Sequence, residues 1–348
     1  LRETGPPSPD DMRPDTIEDS KMQDSPMQPE DDDTAFDRSL ADLDKAAWKA
    51  ALIAQADDHG MSQGLGARHF ATFIDKKPIL LVTFETIQGI RALSETAQPL
   101  GSDMVKAQGW SHLCILSDGD TWFRHDEVYA FFDQLIDDGF FEDFERVVFY
   151  GAGPCGYAAA AYSVASPGAT VIAVQPQATL EPRMTEWDDR FIEMRRSDFT
   201  SRYGYAPDML DAADRAFVLY DPRETLDAMH AALFARTNVT RLRMPFMGGA
   251  LQTRLIEMKL LYRLLSLAGS DKLTERKFFE LYRARRDNVA YLRSLTAHLD
   301  QVERPYLNMM LCRNVTSRMW VRRMKRRLDQ LEQAAAAGEF KAPPAPAE

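Results

Sequence analysis

The chain has 348 residues, a formal net charge of −11, and 45% apolar against 27% charged residues, enough for one large α/β domain or two smaller ones. The acidic balance argues against general nucleic-acid binding, whose footprint is basic, and no run approaches the roughly 18 apolar residues of a membrane span. The start has no basic n-region or apolar h-region and the three cysteines, Cys114, Cys155 and Cys312, lack metal-ligand spacing, so the expectation is a reduced, cytoplasmic protein.

Residues 1–33 carry six prolines and eleven acids against three bases, a composition that predicts disorder. From Phe36 to about Ala56 apolar residues recur at helical spacing, and the following "DDHGMSQGLG" reads as turn. Strands are expected at 79–84, 111–117, 146–150, 169–174, 216–220 and 239–244. Helices are expected at 126–140, 157–165, 224–235 and 250–267. Alternation of this kind predicts a mostly parallel sheet covered by helices on both faces. The charged stretch 176–213 interrupts it as a lid-like insertion within a domain spanning 34–268. Residues 269–335 read as a helical C-terminal subdomain, and 336–348 as a disordered tail. The last helix, expected over 306–333, contains "RNVTSRMWVRRMKRRL" (313–328), with seven bases and no acid. Its apolar positions Val315, Met319, Met324, Leu328 and Leu331 suit docking onto a surface. Its charge offers a contact for an acidic partner or for the acidic N-terminal segment.

Function turns on "RVVFYGAGPCGY" (146–157), a strand that ends in a glycine-rich turn. Gly151, Gly153 and Gly156 fit G-x-G-x-x-G, whose glycines let a backbone approach a pyrophosphate at a helix N-terminus. A dinucleotide-binding oxidoreductase would need an acid after the next strand for the ribose, and Gln175 stands there. Two strands and a helix also precede the turn, whereas the fingerprint normally opens its sheet. A phosphoadenosine phosphosulfate reductase would carry an S-G-G-K-D-S loop and an E-C-G cysteine. Neither is present, and Cys312 lies in the apolar "MMLCRNV".

The same turn, read as "FYGAGPCGYAAAAYS", resembles the nucleophile elbow of α/β-hydrolase-fold esterase-like proteins, and "LYDPRETLDAMHA" resembles their acid-bearing turn. The resemblance covers roughly residues 76–268 and implies an α/β-hydrolase-like fold with 176–213 in the place of the cap. It also implies an acid at Asp221 but a nucleophile position at Gly153, which has no side chain. The residue after it, expected to donate an oxyanion N–H, is Pro154, which has none. The histidine position after the last strand falls on "MPFMGGAL", at Gly249. Losing a nucleophile or base costs about six orders of magnitude in a comparable triad enzyme. The expectation is therefore a catalytically degenerate hydrolase fold with a binding, scaffolding or regulatory role, its cleft open to a protein or a small acyl ligand.

The competing reading is an acyl hydrolase that uses Cys155, a thiol near a helix N-terminus. Tyr157, two residues beyond it, is too large for an elbow, and the sequence offers it no evident base. The acidic "EWDDRF" (186–191) lacks a spaced histidine and reads as lid surface. No metal site and no cofactor are expected.

Overall fold

In a computed structural model of the chain, residues 38–344 are described. The expected disorder of residues 1–33 lies outside them, as do the last four residues of the tail. Eight strands form one sheet in the order β1-β2-β4-β3-β5-β6-β7-β8. They are β1 (Gly60–Leu65), β2 (His69–Ile74), β3 (Ile79–Thr86), β4 (Ser111–Ser117), β5 (Arg146–Ala152), β6 (Thr170–Val174), β7 (Arg215–Tyr220) and β8 (Val239–Arg243). β2 runs antiparallel to both β1 and β4, and every other pairing is parallel. The six strands expected from sequence are β3 to β8. The hairpin β1–β2 replaces what reads as turn, because "GMSQGL" has neither β-branched residues nor apolar alternation and is held by its pairing with β2.

Alternate residues of the central strands feed two cores. Leu80, Val82, Phe149, Val171 and Val218 face a layer containing α4 (Asp126–Asp137) and α5 (Pro154–Tyr162). Leu81, Val148, Ile172 and Phe217 face the opposite layer. On that side Trp48 of α1 (Lys45–His59) and Ile87 of α2 (Ile87–Leu93) pack near the β2–β4 edge. Next to them lies α3 (Gly101–Gln108). Burial on both faces is why these strands read as continuous apolar runs. In α5 every side chain from Cys155 to Tyr162 is buried, and the Tyr162 hydroxyl donates to the Phe123 carbonyl at 2.5 Å.

The insertion after β6 carries two single-turn helices, α6 (Pro182–Thr185) and α7 (Ala206–Met209). After β7 comes α8 (Thr225–Leu233), whose Ala231 joins the α5 side. The helix expected over 250–267 is two helices, α9 (Leu251–Glu257) and α10 (Leu261–Gly269), broken where Lys259 takes a positive φ of 56°. α11 (Glu275–Leu281) sends Phe278 into the sheet-facing core, as does Tyr282 just beyond it. The C-terminal helical region therefore shares part of the sheet-facing core. Its own core lies between α12 (Val289–Gln301), α13 (Pro305–Arg318) and α14 (Arg322–Ala336).

The single C-terminal helix expected from sequence is thus broken at Met319–Val321. Val315, Met324, Leu328 and Leu331 are buried inside this bundle, so they do not form a free docking face. Past α14 the chain does not leave the fold at once: Phe340 packs on the same bundle and Arg313 donates to the Pro343 carbonyl at 3.2 Å. Among the described residues no helix is long and apolar enough to cross a membrane.

Candidate functional site

β5 delivers the chain to a tight turn at the C-terminal edge of the sheet, and α5 leaves it. Gly153 sits at the tip with φ 59° and ψ −125°, a combination that L side chains hold only under strain. Its N–H donates to Val174 O at 2.8 Å, and its carbonyl accepts from Tyr157 N at 3.0 Å. A Cβ on Gly151 would lie 2.0 Å from the Cys155 carbonyl oxygen, whereas one on Gly153 would meet nothing within 4 Å. The turn is closed by Gly151 and open above Gly153. Pro154 is the first residue of α5, so no N–H projects from that position.

These facts bear on the phosphate-cradle reading too. Gly153 N–H is already committed to β6, and Pro154 removes a donor from the helix start. Gln175 is occupied: it donates to Asp227 Oδ2 at 2.6 Å and accepts from Leu251 N at 2.9 Å.

Above the turn lies a cleft of about 140 Å3, lined among others by Glu85, Asp103, Asp120, Pro154, Cys155 and Tyr262. Its walls come from β3, from the α2–α3 segment and from α9–α10. Among the described residues no Lys, Arg or His lines it. Cys155 reaches it but is only 7% exposed. Burial first, then the charges of Glu85 and Asp120, push its thiol well above the ordinary value, so it holds its proton.

Neither Asp221 nor Gly249 is among the residues that line this cleft. Asp221 is 1% exposed; Oδ1 accepts from Arg223 N at 2.9 Å and Oδ2 from Gly248 N at 2.8 Å. Its carboxylate thus ties the turn after β7 to the loop after β8. The histidines are engaged elsewhere. His59 ends α1 beside the β1 edge. His69 bonds Thr121, His112 bonds Thr83, His125 pairs with Glu127, and His298 lies beside Arg223. His230 is fully buried: Nδ1 accepts from Ala178 N at 3.1 Å, which puts the proton on Nε2, donating to Asp188 Oδ2 at 2.9 Å. None of these contacts reaches Asp221 or Cys155.

"EWDDRF" is not plain lid surface. The Asp188 side chain is fully buried and is chelated by Arg190, which also donates to Asp227. Burial alone would raise the Asp188 carboxyl, but the bonds from His230 and Arg190 outweigh it and hold it well below the usual carboxylate range. This network pins the insertion to α8, and the Tyr157 hydroxyl donates to the Tyr203 carbonyl from α5. No residue of 176–213 lines the cleft. The segment is a brace behind α5, and the α2–α3 segment forms the cover instead.

Sequence reasoning passed over a second group beneath the cleft. Thr83 Oγ1 donates to Glu85 Oε1 and bonds His112 Nε2, both at 2.8 Å. Cys114 Sγ points at Glu85 Oε1 at 3.6 Å. Burial raises the Glu85 carboxyl, opposed only in part by bonds from Thr83, Leu100 N and Cys114. It also lowers His112 to about 3. The available signal was an acid inside "ILLVTFET", an apolar run buried on both faces.

The strand order, the antiparallel second strand, the strand–turn–helix at the fifth strand and the buried acid after the seventh together decide the architecture. The fold is α/β-hydrolase-like. No protein-family model and no curated protein sequence matches the chain. Solved structures that align with the chain include the glycosylation-associated Gap123 complex of Streptococcus agalactiae, at 14% identity and TM-score 0.39, covering 59% of this chain and 45% of that one. The chain therefore spans less than half of that protein's length. A Pyrobaculum calidifontis esterase aligns at 13% identity and TM-score 0.39 over 71% of this chain and 98% of its own. A fluorophosphonate-binding serine hydrolase of Staphylococcus aureus aligns at 11% identity and TM-score 0.38, over 58% and 96%.

Proposed function

We propose that this α/β-hydrolase-like chain does not hydrolyse acyl groups and uses its cleft to bind, in a scaffolding or regulatory role. The observation that carries this is Gly153: the tip of the turn has the backbone for a presented side chain, and no side chain. Pro154 leaves the neighbouring oxyanion position without a donor. One missing donor of that kind is worth ~10²–10³ in rate. At the acid position, Asp221 accepts one backbone N–H on each oxygen and in this reading serves the fold.

The lining of the cleft favours an uncharged or cationic ligand over an anionic acyl carboxylate, since Glu85, Asp103 and Asp120 line it and, among the described residues, no Lys, Arg or His does. Its volume suits a compact molecule, because a dry cavity of about 150 Å3 accommodates a benzene-sized guest.

The test is turnover of short p-nitrophenyl esters by the purified chain, wild type and Cys155→Ala. The expected result is a rate at the uncatalysed background for both. Turnover that vanishes in Cys155→Ala would establish a thiol hydrolase and overturn the proposal. A thermal-shift screen with small amines, polyols and carboxylates then reports the ligand class, with stabilisation expected from the first two only.

A further inference from the structure

The geometry points to a divalent transition-metal site, of the kind that takes Zn2+, formed by Glu85, His112 and Cys114 beneath the cleft. One ligand atom from each lies within 4.8 Å of the others, and all three residues are buried. They come from the neighbouring strands β3 and β4, whose parallel register sets Thr83 opposite Cys114 and Leu81 opposite His112. Alternation along both strands therefore projects Thr83, Glu85, His112 and Cys114 to the same side of the sheet. Carboxylate oxygen, imidazole nitrogen and thiolate sulfur are the three donor types of zinc sites.

Charge makes the same case. The partners of Glu85 are Thr83, Leu100 N and Cys114, and none of them is a cation. A buried carboxylate without one is costly. A dication bound to one carboxylate, one thiolate and one neutral imidazole gives a site of zero net charge. On binding, the Cys114 thiol releases its proton to solvent, and Glu85 does so where it is protonated.

The surroundings hold the donors in place. Leu100 N lies 3.1 and 3.2 Å from the two Glu85 oxygens. Gly101, the first residue of α3, lies flush on the imidazole, where a Cβ would come within 2.2 Å of Nε2. Outer contacts of this kind orient metal ligands. A separate observation also points to a missing partner: Tyr150 Oη is buried and has no hydrogen bond among the described residues. Tyr150 pairs with Thr83 across β3–β5, on the side of the sheet that carries Glu85. Orphaned buried hydroxyls are rare and call for a ligand, ion or water. Glu85 alone of the three lines the cleft and marks the entry path.

The experiment uses the full chain stripped with EDTA and reloaded with Zn2+ or Co2+. Metal analysis after gel filtration should give one equivalent per chain. The Co2+ form should show a near-ultraviolet thiolate-to-cobalt charge-transfer band that Cys114→Ser removes and Cys155→Ser leaves intact. Glu85→Gln should weaken binding at least tenfold. Should a variant fail to fold, the wild-type protein still decides the matter, through a rise in unfolding midpoint with Zn2+ but not Mg2+. Less than a tenth of an equivalent bound, a cobalt spectrum without the thiolate band, or loss of that band in Cys155→Ser would each overturn the assignment.

Discussion

At Gly153 the backbone is set for a presented side chain, and the space above it is open. Gly153→Ser should therefore fold, losing about 1–3 kcal/mol to backbone strain, as read by urea unfolding. It should gain no esterase activity, because Pro154 still lacks its N–H and no base stands by. Gly151→Ala is the contrasting change. Its methyl would strike the Cys155 carbonyl at 2.0 Å, and a loss well above that of Gly153→Ser, or failure to fold, is expected. His69 gives a pH signature. Burial first, then His125 and Arg68, lower it to about 4, and its Nδ1 has no partner. Because the unfolded chain protonates this group near 6.5 and the folded one only near 4, stability should fall as pH drops from 6.5 to 4 and level off below. His69→Gln should flatten that slope by about 1 kcal/mol per pH unit, measured by urea unfolding across the window.

Elements differ in how plainly the sequence announced them. β3 to β7 are apolar runs buried on both faces, so their composition alone marks them, whereas β8, at the sheet edge, buries only Leu242. The β1–β2 hairpin is polar and glycine-bearing along its outer strand, and pairing rather than propensity creates it. α2 and α3 went unread because Gly89, Pro99 and Gly101 punctuate them, although the Thr86 cap on Gly89 N starts α2 in the ordinary way. The break between α13 and α14 has no Gly or Pro to signal it. At the site, the positions around Gly153 were legible because a turn motif has fixed spacing. The Glu85–His112–Cys114 group was not, since Glu85 and Cys114 lie 29 residues apart in sequence and meet only through the pairing of β3 with β4. Asp221 was read as an acid, but its use as a tie between two loops needed the fold. Asp221→Ala strands the N–H groups of Arg223 and Gly248 and should cost about 2–4 kcal/mol, detectable as a lower urea midpoint.

The acidic total of the whole molecule conceals a basic groove in its C-terminal bundle. The chain carries −11 overall, yet Arg293, Arg322, Arg323 and Arg326 line one groove of the C-terminal bundle beside Trp320, which is 82% exposed. With the apolar side of α14 buried, this arginine face is what remains for an acidic partner. The chain should be retained on immobilised heparin at low salt despite its net charge, and Arg322→Glu/Arg323→Glu/Arg326→Glu should release it. Stronger retention after deletion of residues 1–33 would mark that acidic segment as the occupant in cis, and unchanged retention would mark an external partner.

Pro154 has a consequence for design. On the proposed reading, a serine placed at position 153 would bring no rate by itself, since position 154 would still need a residue with an N–H and the acid a facing histidine. Installing turnover on this turn would take three coordinated changes rather than one.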